Sequence, residues 1–128
     1  MSEYTFGTTV SGDFDEVIAR VTAALAGEGF GVLSTIDVSA ALKAKIDLDM
    51  PRYTILGACN PPLAATALEA DPEMGALLPC NVFLRQDPDG VRVGFMDPAS
   101  VLGLVDNAAV QDLAAEVTTR LESVRDAL

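Results

Sequence analysis

The residues of this chain best suited to chemistry are its two cysteines. Cys59 lies in Gly57-Ala58-Cys59-Asn60-Pro61-Pro62, and Cys80 lies in Leu77-Leu78-Pro79-Cys80-Asn81-Val82. Each is followed by an asparagine and stands close to proline. A thiolate attacks disulfides and peroxides and binds soft metals. Met74 or Met96 can add a thioether, so Cys59, Cys80 and Met74 form a candidate set for an ion such as Cu(I). Asn60 and Asn81 bring amide donors and acceptors. Cys59, Asn60, Pro61, Cys80 and Asn81 are therefore the candidate ligand-binding or redox residues. A blander reading stands beside this one: free cysteine is a small residue that is often simply buried, and Asn60 can serve only as a helix cap.

What is missing narrows the chemistry further. The chain has no histidine. That excludes Ser-His-Asp and Cys-His nucleophile pairs within it and removes the commonest zinc and copper ligand. Two cysteines cannot close a tetrahedral thiolate site alone; two subunits supply four only if both sites meet at a dimer axis. There is no CxxC and no nucleotide-binding loop, which tips the reading away from a conventional enzyme, and no residue is assigned a catalytic role. Asp47 and Asp49 offer carboxylates to a hard cation, but a solvated loop accounts for them as well.

The elements around the cysteines follow from local pattern. Tyr53 to Cys59 is β-friendly and reads as a strand. Asn60 then caps a helix whose first position, Pro61, needs no N–H; the helix runs on through Leu63 to Glu69, and Asp71-Pro72 ends it. Cys59 thus precedes a helix N-terminus, where partial positive charge favours a thiolate. Cys80 opens the next strand, to Gln86. If these strands are antiparallel neighbours, both sulfurs sit at one end of the sheet; the connection is also long enough to cross over.

Upstream, Tyr4 to Val10 reads as a strand, and Asp13 with Glu16 has capping-box spacing before a helix with Phe14, Val17, Ile18, Val21 and Leu25 on one face. Phe30 to Val38 reads as a strand with Phe30, Val32, Ser34, Ile36 and Val38 sharing a face. Ser39 is the expected cap of a short helix, Ala40 to Ile46, with Leu42 and Ile46 pointing inward. Downstream, Asp87-Pro88-Asp89-Gly90 joins Cys80–Gln86 to Val91–Met96 as a tight hairpin. Ala99 to Val105 reads as a packed loop or helical turn. A final amphipathic helix, capped by Asp106 or Asn107, carries Val110, Leu113, Val117, Leu121, Val124 and Leu128. The order is β-α-β-α-β-α-β-β-α in one domain, residues 1–128. The hairpin forbids a fully parallel sheet, so the expected fold is α+β: a mostly antiparallel sheet with helices packed on one face.

The charge excludes whole classes of partner. The 128 residues carry a net charge of −11, with the eight basic residues scattered along the chain. Nucleic acid and anionic membrane need a basic patch, so neither is expected. No apolar run is long enough to span a bilayer, and the first residues, MSEYTFGTTVSGDFDE, lack the pattern of a secretory signal. The expected compartment is the cytoplasm, where thiols stay reduced.

The phrases GFGVLSTIDV (29–38), YTILGACNPPLAATAL (53–68), LLPCNV (77–82) and MDPASVLGL (96–104), in this order, resemble the domain-of-unknown-function 302 family. The resemblance implies a compact α+β fold similar to the TATA-box-binding-protein-like group, in a small bacterial or archaeal protein that forms a homodimer. It implies no DNA binding, because fold is not function. It carries over Cys59, Asn60, Pro61, Pro62, Pro79, Cys80 and Asn81 as a candidate shared site. The expected function is a binding module for a small molecule or a soft metal near the two Cys-Asn motifs. The alternatives are a thiol-dependent redox protein and a structural or protein-interaction domain with inert cysteines.

Overall fold

The computed structural model describes residues 3–128; Met1 and Ser2, the start of the N-terminal stretch read above, lie outside them. Five strands, β1 (Thr5–Val10), β2 (Gly31–Asp37), β3 (Tyr53–Cys59), β4 (Cys80–Asp87) and β5 (Gly90–Met96), form one sheet in the order β1-β5-β4-β3-β2. Every neighbouring pair is antiparallel. The α-helices are α1 (Phe14–Gly27), α2 (Val38–Ile46), α3 (Pro61–Ala70), α4 (Pro98–Val101) and α5 (Ala108–Asp126). Short 3-10 turns cover Pro72–Ala76 and Leu102–Leu104, so the ASVLGLV phrase is helical turn rather than loop.

One face of the sheet is apolar, and the helices cover it. Alternation puts Leu56 and Ala58 of β3, Val82 and Leu84 of β4, and Val91, Val93 and Phe95 of β5 on that face, and all are buried. They join one core with Phe14, Val17, Val21 and Leu25 of α1, Ala67 of α3, and the α5 stripe Val110, Leu113, Val117, Leu121 and Val124. Burying an aliphatic side chain of this kind contributes about 1.5–3 kcal/mol. Phe6 of β1 extends the core to the sheet edge by stacking on Phe95, with ring centroids 5.3 Å apart.

The caps set the helix starts. The Asp13 carboxylate accepts from Glu16 N, Asn60 Oδ1 from Leu63 N, and Asn107 Oδ1 from both Ala109 N and Val110 N. Asn107, not Asp106, is thus the cap of α5. Helix α2 differs from expectation: Asp37, not Ser39, is its cap, accepting from Ala40 N at 2.9 Å and from the Ser39 hydroxyl at 2.8 Å. The Ser39 oxygen is already used, accepting from Tyr53 N. Nor do Leu42 and Ile46 point into the core. α2 buries no side chain, because it packs beside β3 rather than joining α1, α3 and α5 in the helix layer.

Strand β2 carries the second correction. Val32 pairs with Ala58 and Ser34 with Gly57, so Leu33 is an extra residue with no partner. This bulge reverses the alternation: Ser34 and Ile36 lie on the face opposite Val32, where an unbroken strand would have kept all three together. Val38 has left the strand and begins α2.

Candidate functional site

Strands β3 and β4 are antiparallel neighbours, with Ala58 directly opposite Cys80. Both cysteines therefore lie at one end of the sheet. There the end of the sheet, α3, the turn after it and α5 enclose a cavity of about 290 Å³. Its walls include Cys59, Cys80, Met74, Phe30, Leu63, Leu78 and Val117. Almost no polar group faces it. Leu33, set off by the bulge and 71 % exposed, stands at its mouth.

The two cysteines differ in setting. Cys59 is half-buried and Cys80 is buried; neither is bonded to the other. Loss of solvation on burial, and secondarily the neighbouring charge of Cys59, pushes the Cys80 thiol from 9.0 up to about 11. At neutral pH Cys80 is a protonated thiol. Met74, 1 % exposed, reaches the same cavity from the turn after α3, so all three members of the soft-metal set line one space. Met96 lies on the other face of the sheet.

The asparagines part company. Asn60 is buried in the α3 cap and lines the cysteine cavity, whereas Asn81, one residue beyond Cys80, alternates to the open face and is exposed. The two Cys-Asn motifs are thus not equivalent. Pro61 is the exposed first residue of α3 with Pro62 behind it, and Pro79 lines the cavity after a cis Leu78–Pro79 peptide.

Other polar residues near strand ends have structural work. Arg52 pairs with Asp15 at 2.9 Å and lies 4.4 Å from the centre of the Phe14 ring, fastening the loop before β3 to α1. Asp97 caps α4, accepting from Ala99 N and the Ser100 hydroxyl. Lys43 bridges Asp47 at 2.7 Å and Asp49 at 3.0 Å, so the two loop carboxylates hold a lysine.

A second concavity, of about 820 Å³, lies along the open face of the sheet and around its β1 edge. Register assembles it from separate segments: Tyr53, Arg85, Arg92 and Thr9 form one cross-strand row, and Ile55, Phe83, Gly94 and Gly7 the next. Tyr53 and Phe83 stack with centroids 5.7 Å apart and planes 9° from parallel. Tyr53 begins β3, and Arg85 and Arg92 lie on the two strands of the hairpin, so no local motif joins them. A usable signal was present: a two-residue loop at Pro88-Asp89 forces Arg85 opposite Arg92 and Phe83 opposite Gly94.

A five-stranded antiparallel sheet backed on one face by helices, with an apolar cavity beside two free thiols, defines a small α+β domain. Residues 6–128 match the family described as "Domain of unknown function DUF302", and the chain belongs to that family. It is similar to the crystal structure of an uncharacterized conserved DUF302 protein from Bacillus stearothermophilus, with a TM-score of 0.90, 31 % identity and 98 % of each chain covered. It is also 32 % identical over 85 residues to an uncharacterized protein of Aquifex aeolicus (strain VF5), covering 66 % of this chain. The match spans about half, 53 %, of that relative's length.

Proposed function

We propose that the protein is a small-molecule binding module whose cavity beside Cys59 and Cys80 takes a compact, uncharged, apolar ligand. The observation that carries this reading is the cavity itself: about 290 Å³, apolar in its walls, with an exposed leucine at the mouth. Dry apolar cavities of roughly half that size bind benzene or xenon. Toluene is the probe of choice. In the full-length protein it should shift the amide signals of Ala58, Ala67 and Met74, and Ala67→Phe, which fills the cavity from α3, should abolish those shifts. Ala67→Leu serves as the milder filling variant. Toluene shifts that persist in a folded filling variant, or no shifts in the parent, would sink the reading.

One observation favours a second reading, soft-metal binding: Cys59, Cys80 and Met74 line the same space. Anaerobic titration with Cu(I) against a chelator tests it, and equal retention by Cys80→Ala would remove it. Thiol redox chemistry is weaker, because a buried Cys80 thiol held at about 11 is a poor nucleophile at neutral pH. Two free thiols suit the reducing cytoplasm. Among the described residues no helix is long and apolar enough to cross a membrane.

A second copy of the chain is the proposed protein partner. Strand β2 is a sheet edge with unpaired backbone groups, and Ile36 on it and Ile46 and Leu48 just beyond are 50 %, 66 % and 43 % exposed. Sedimentation should give a dimer that Ile46→Asp with Leu48→Asp converts to monomer; a parent that stays monomeric at all concentrations removes the proposal.

A further inference from the structure

We propose that the open face of the sheet is a second ligand site, separate from the cysteine cavity, and that it takes a planar aromatic molecule bearing a carboxylate. The reasoning begins with charge. The chain is strongly acidic, yet three of its eight basic residues, Arg85, Arg92 and Arg125, line this one cleft, and no carboxylate is among the residues that line it. Arg85 is paired with Asp87, and Arg125 with Asp126 at 3.0 Å and Glu122 at 4.0 Å, so the charge left for a ligand is that of Arg92.

The cross-strand register makes this stronger. Arg85 and Arg92 stand directly opposite each other on β4 and β5. Like charges in that relation are unfavourable. Arg85 has an answer within its own strand: Nε and Nη2 donate to the two oxygens of Asp87 at 2.7 and 2.9 Å. Arg92 has no such bidentate partner: among the described residues its side chain makes no hydrogen bond or ion pair, although it is half-buried. It feels only the longer-range charge of Asp87, which Arg85 already holds. It is a planar fork of donors at the rim of a concave surface, the geometry that recognises a carboxylate in two parallel hydrogen bonds.

The ground next to Arg92 fits an aromatic body. One row along, Phe83 stacks on Tyr53 to make a rigid flat wall. The ring of Phe83 also covers Gly94; next to it Gly7 carries no side chain, and Ile55 of β3 and Met96 of β5 add apolar surface along the cleft. The cleft volume, about 820 Å³, lies within the range of small-molecule pockets and admits one or two fused rings. A rigid aromatic wall, apolar side chains beside it and, at the rim, a guanidinium with no hydrogen-bonded partner describe an amphiphilic planar anion. The cysteine cavity, apolar in nearly all its walls, would exclude such a charge.

The test is titration of the full-length 15N-labelled protein with 1-naphthoate, followed by amide shifts, with uncharged 1-naphthalenemethanol as the matched probe. The expected result is saturable shifts at Phe83, Arg92 and Gly94, with the alcohol and the Arg92→Gln variant each weaker by roughly tenfold or more. Asp87→Asn, which frees Arg85, should move the affinity the other way, and Arg20→Gln, on α1, should leave it unchanged. No saturable shift up to about 10 mM naphthoate, or equal binding by the alcohol and by Arg92→Gln, overturns the site. So do shifts confined to Ala58, Ala67 and Met74, which put the probe in the cysteine cavity. Shifts that follow protein concentration instead of probe make this face a contact between copies and also overturn it.

Discussion

The ring of Phe83 lies over Gly94, in the space that a side chain at position 94 would occupy. Their register pairing, together with the stacking of Phe83 on Tyr53, means that one aromatic wall depends on the lack of a Cβ in the neighbouring strand. Gly7 is bare for a harder reason: a Cβ there would run into the backbone carbonyl of Val93. A ring can swing aside, but a carbonyl in a sheet cannot. Both Gly→Ala variants should destabilise by about 1–3 kcal/mol, with Gly7→Ala the worse of the two. Urea unfolding ranks them. Gly94→Ala should also change the near-ultraviolet circular dichroism of the Tyr53–Phe83 pair, and an unchanged spectrum would contradict the packing described.

Stability should fall in alkali because of Cys80. Its thiol is raised in the folded protein from 9.0 to about 11, chiefly by burial. The unfolded chain therefore loses this proton first. The contribution is fully present below pH 9, declines as pH rises, and is gone once pH passes the folded value near 11. The shift corresponds to roughly 2–3 kcal/mol. Comparing parent and Cys80→Ala by urea unfolding between pH 8 and 11 isolates it: the parent should lose more stability over that window. Parallel curves would show that Cys80 titrates as an ordinary thiol.

The same burial orders the reactivity of the two cysteines. With iodoacetamide at pH 8, half-buried Cys59 should be modified well before Cys80, which should react only when the end of the sheet opens. Mass spectrometry after timed quenching resolves the two. Equal rates in the folded protein would contradict the enclosure of Cys80.

Local signals in the sequence carried a long way, and they stopped where register begins. The hairpin follows from Asp87-Pro88-Asp89-Gly90, and the ladder closes there with Asp87 opposite Gly90. The α5 stripe from Val110 to Val124 is buried as its spacing requires. The caps at Asp13 and Asn60 sit where the sequence puts them. The bulge at Leu33 was not legible, because nothing in Val32-Leu33-Ser34 marks an extra residue until Ala58 and Gly57 are known to be the partners on either side. The open cleft was hidden for the same reason: Tyr53, Arg85 and Arg92 become neighbours only when three strands are aligned. Asn81 looked like the twin of Asn60, since sequence adjacency to cysteine says nothing about which face each side chain takes.

The asparagine caps offer a graded test. Asn60 accepts one bond, from Leu63 N at 3.3 Å. Asn107 accepts two and donates to the carbonyl of Ala70 at 3.4 Å, tying α5 to the end of α3. Replacing a cap of this kind by alanine costs about 1 kcal/mol. Asn60→Ala should match that figure and Asn107→Ala exceed it. A smaller loss at Asn107 would mean that its bonds to α5 and α3 add nothing beyond a simple cap.

Deleting Leu33 tests the bulge, and the outcome expected is opposite to that of most strand deletions. Removing one residue from a strand ordinarily moves every side chain beyond it to the wrong face. Here Val32 already faces the core opposite Ala58, and Ser34 already faces outward opposite Gly57. Joining them directly gives an unbroken ladder with every other residue in its present register. Leu33 is largely exposed, so little buried area is lost. The deletion should fold and unfold within about 1 kcal/mol of the parent. Deletion of buried Leu56 from central β3 should abolish the native fold. Amide spectra and urea unfolding of the two variants decide the matter. If loss of Leu33 scrambled the signals of Thr35 to Asp37, the register on that side of the bulge would have to be redrawn. If it left them in place and changed only the binding of toluene, Leu33 would be a wall of the cavity and not a support of the sheet.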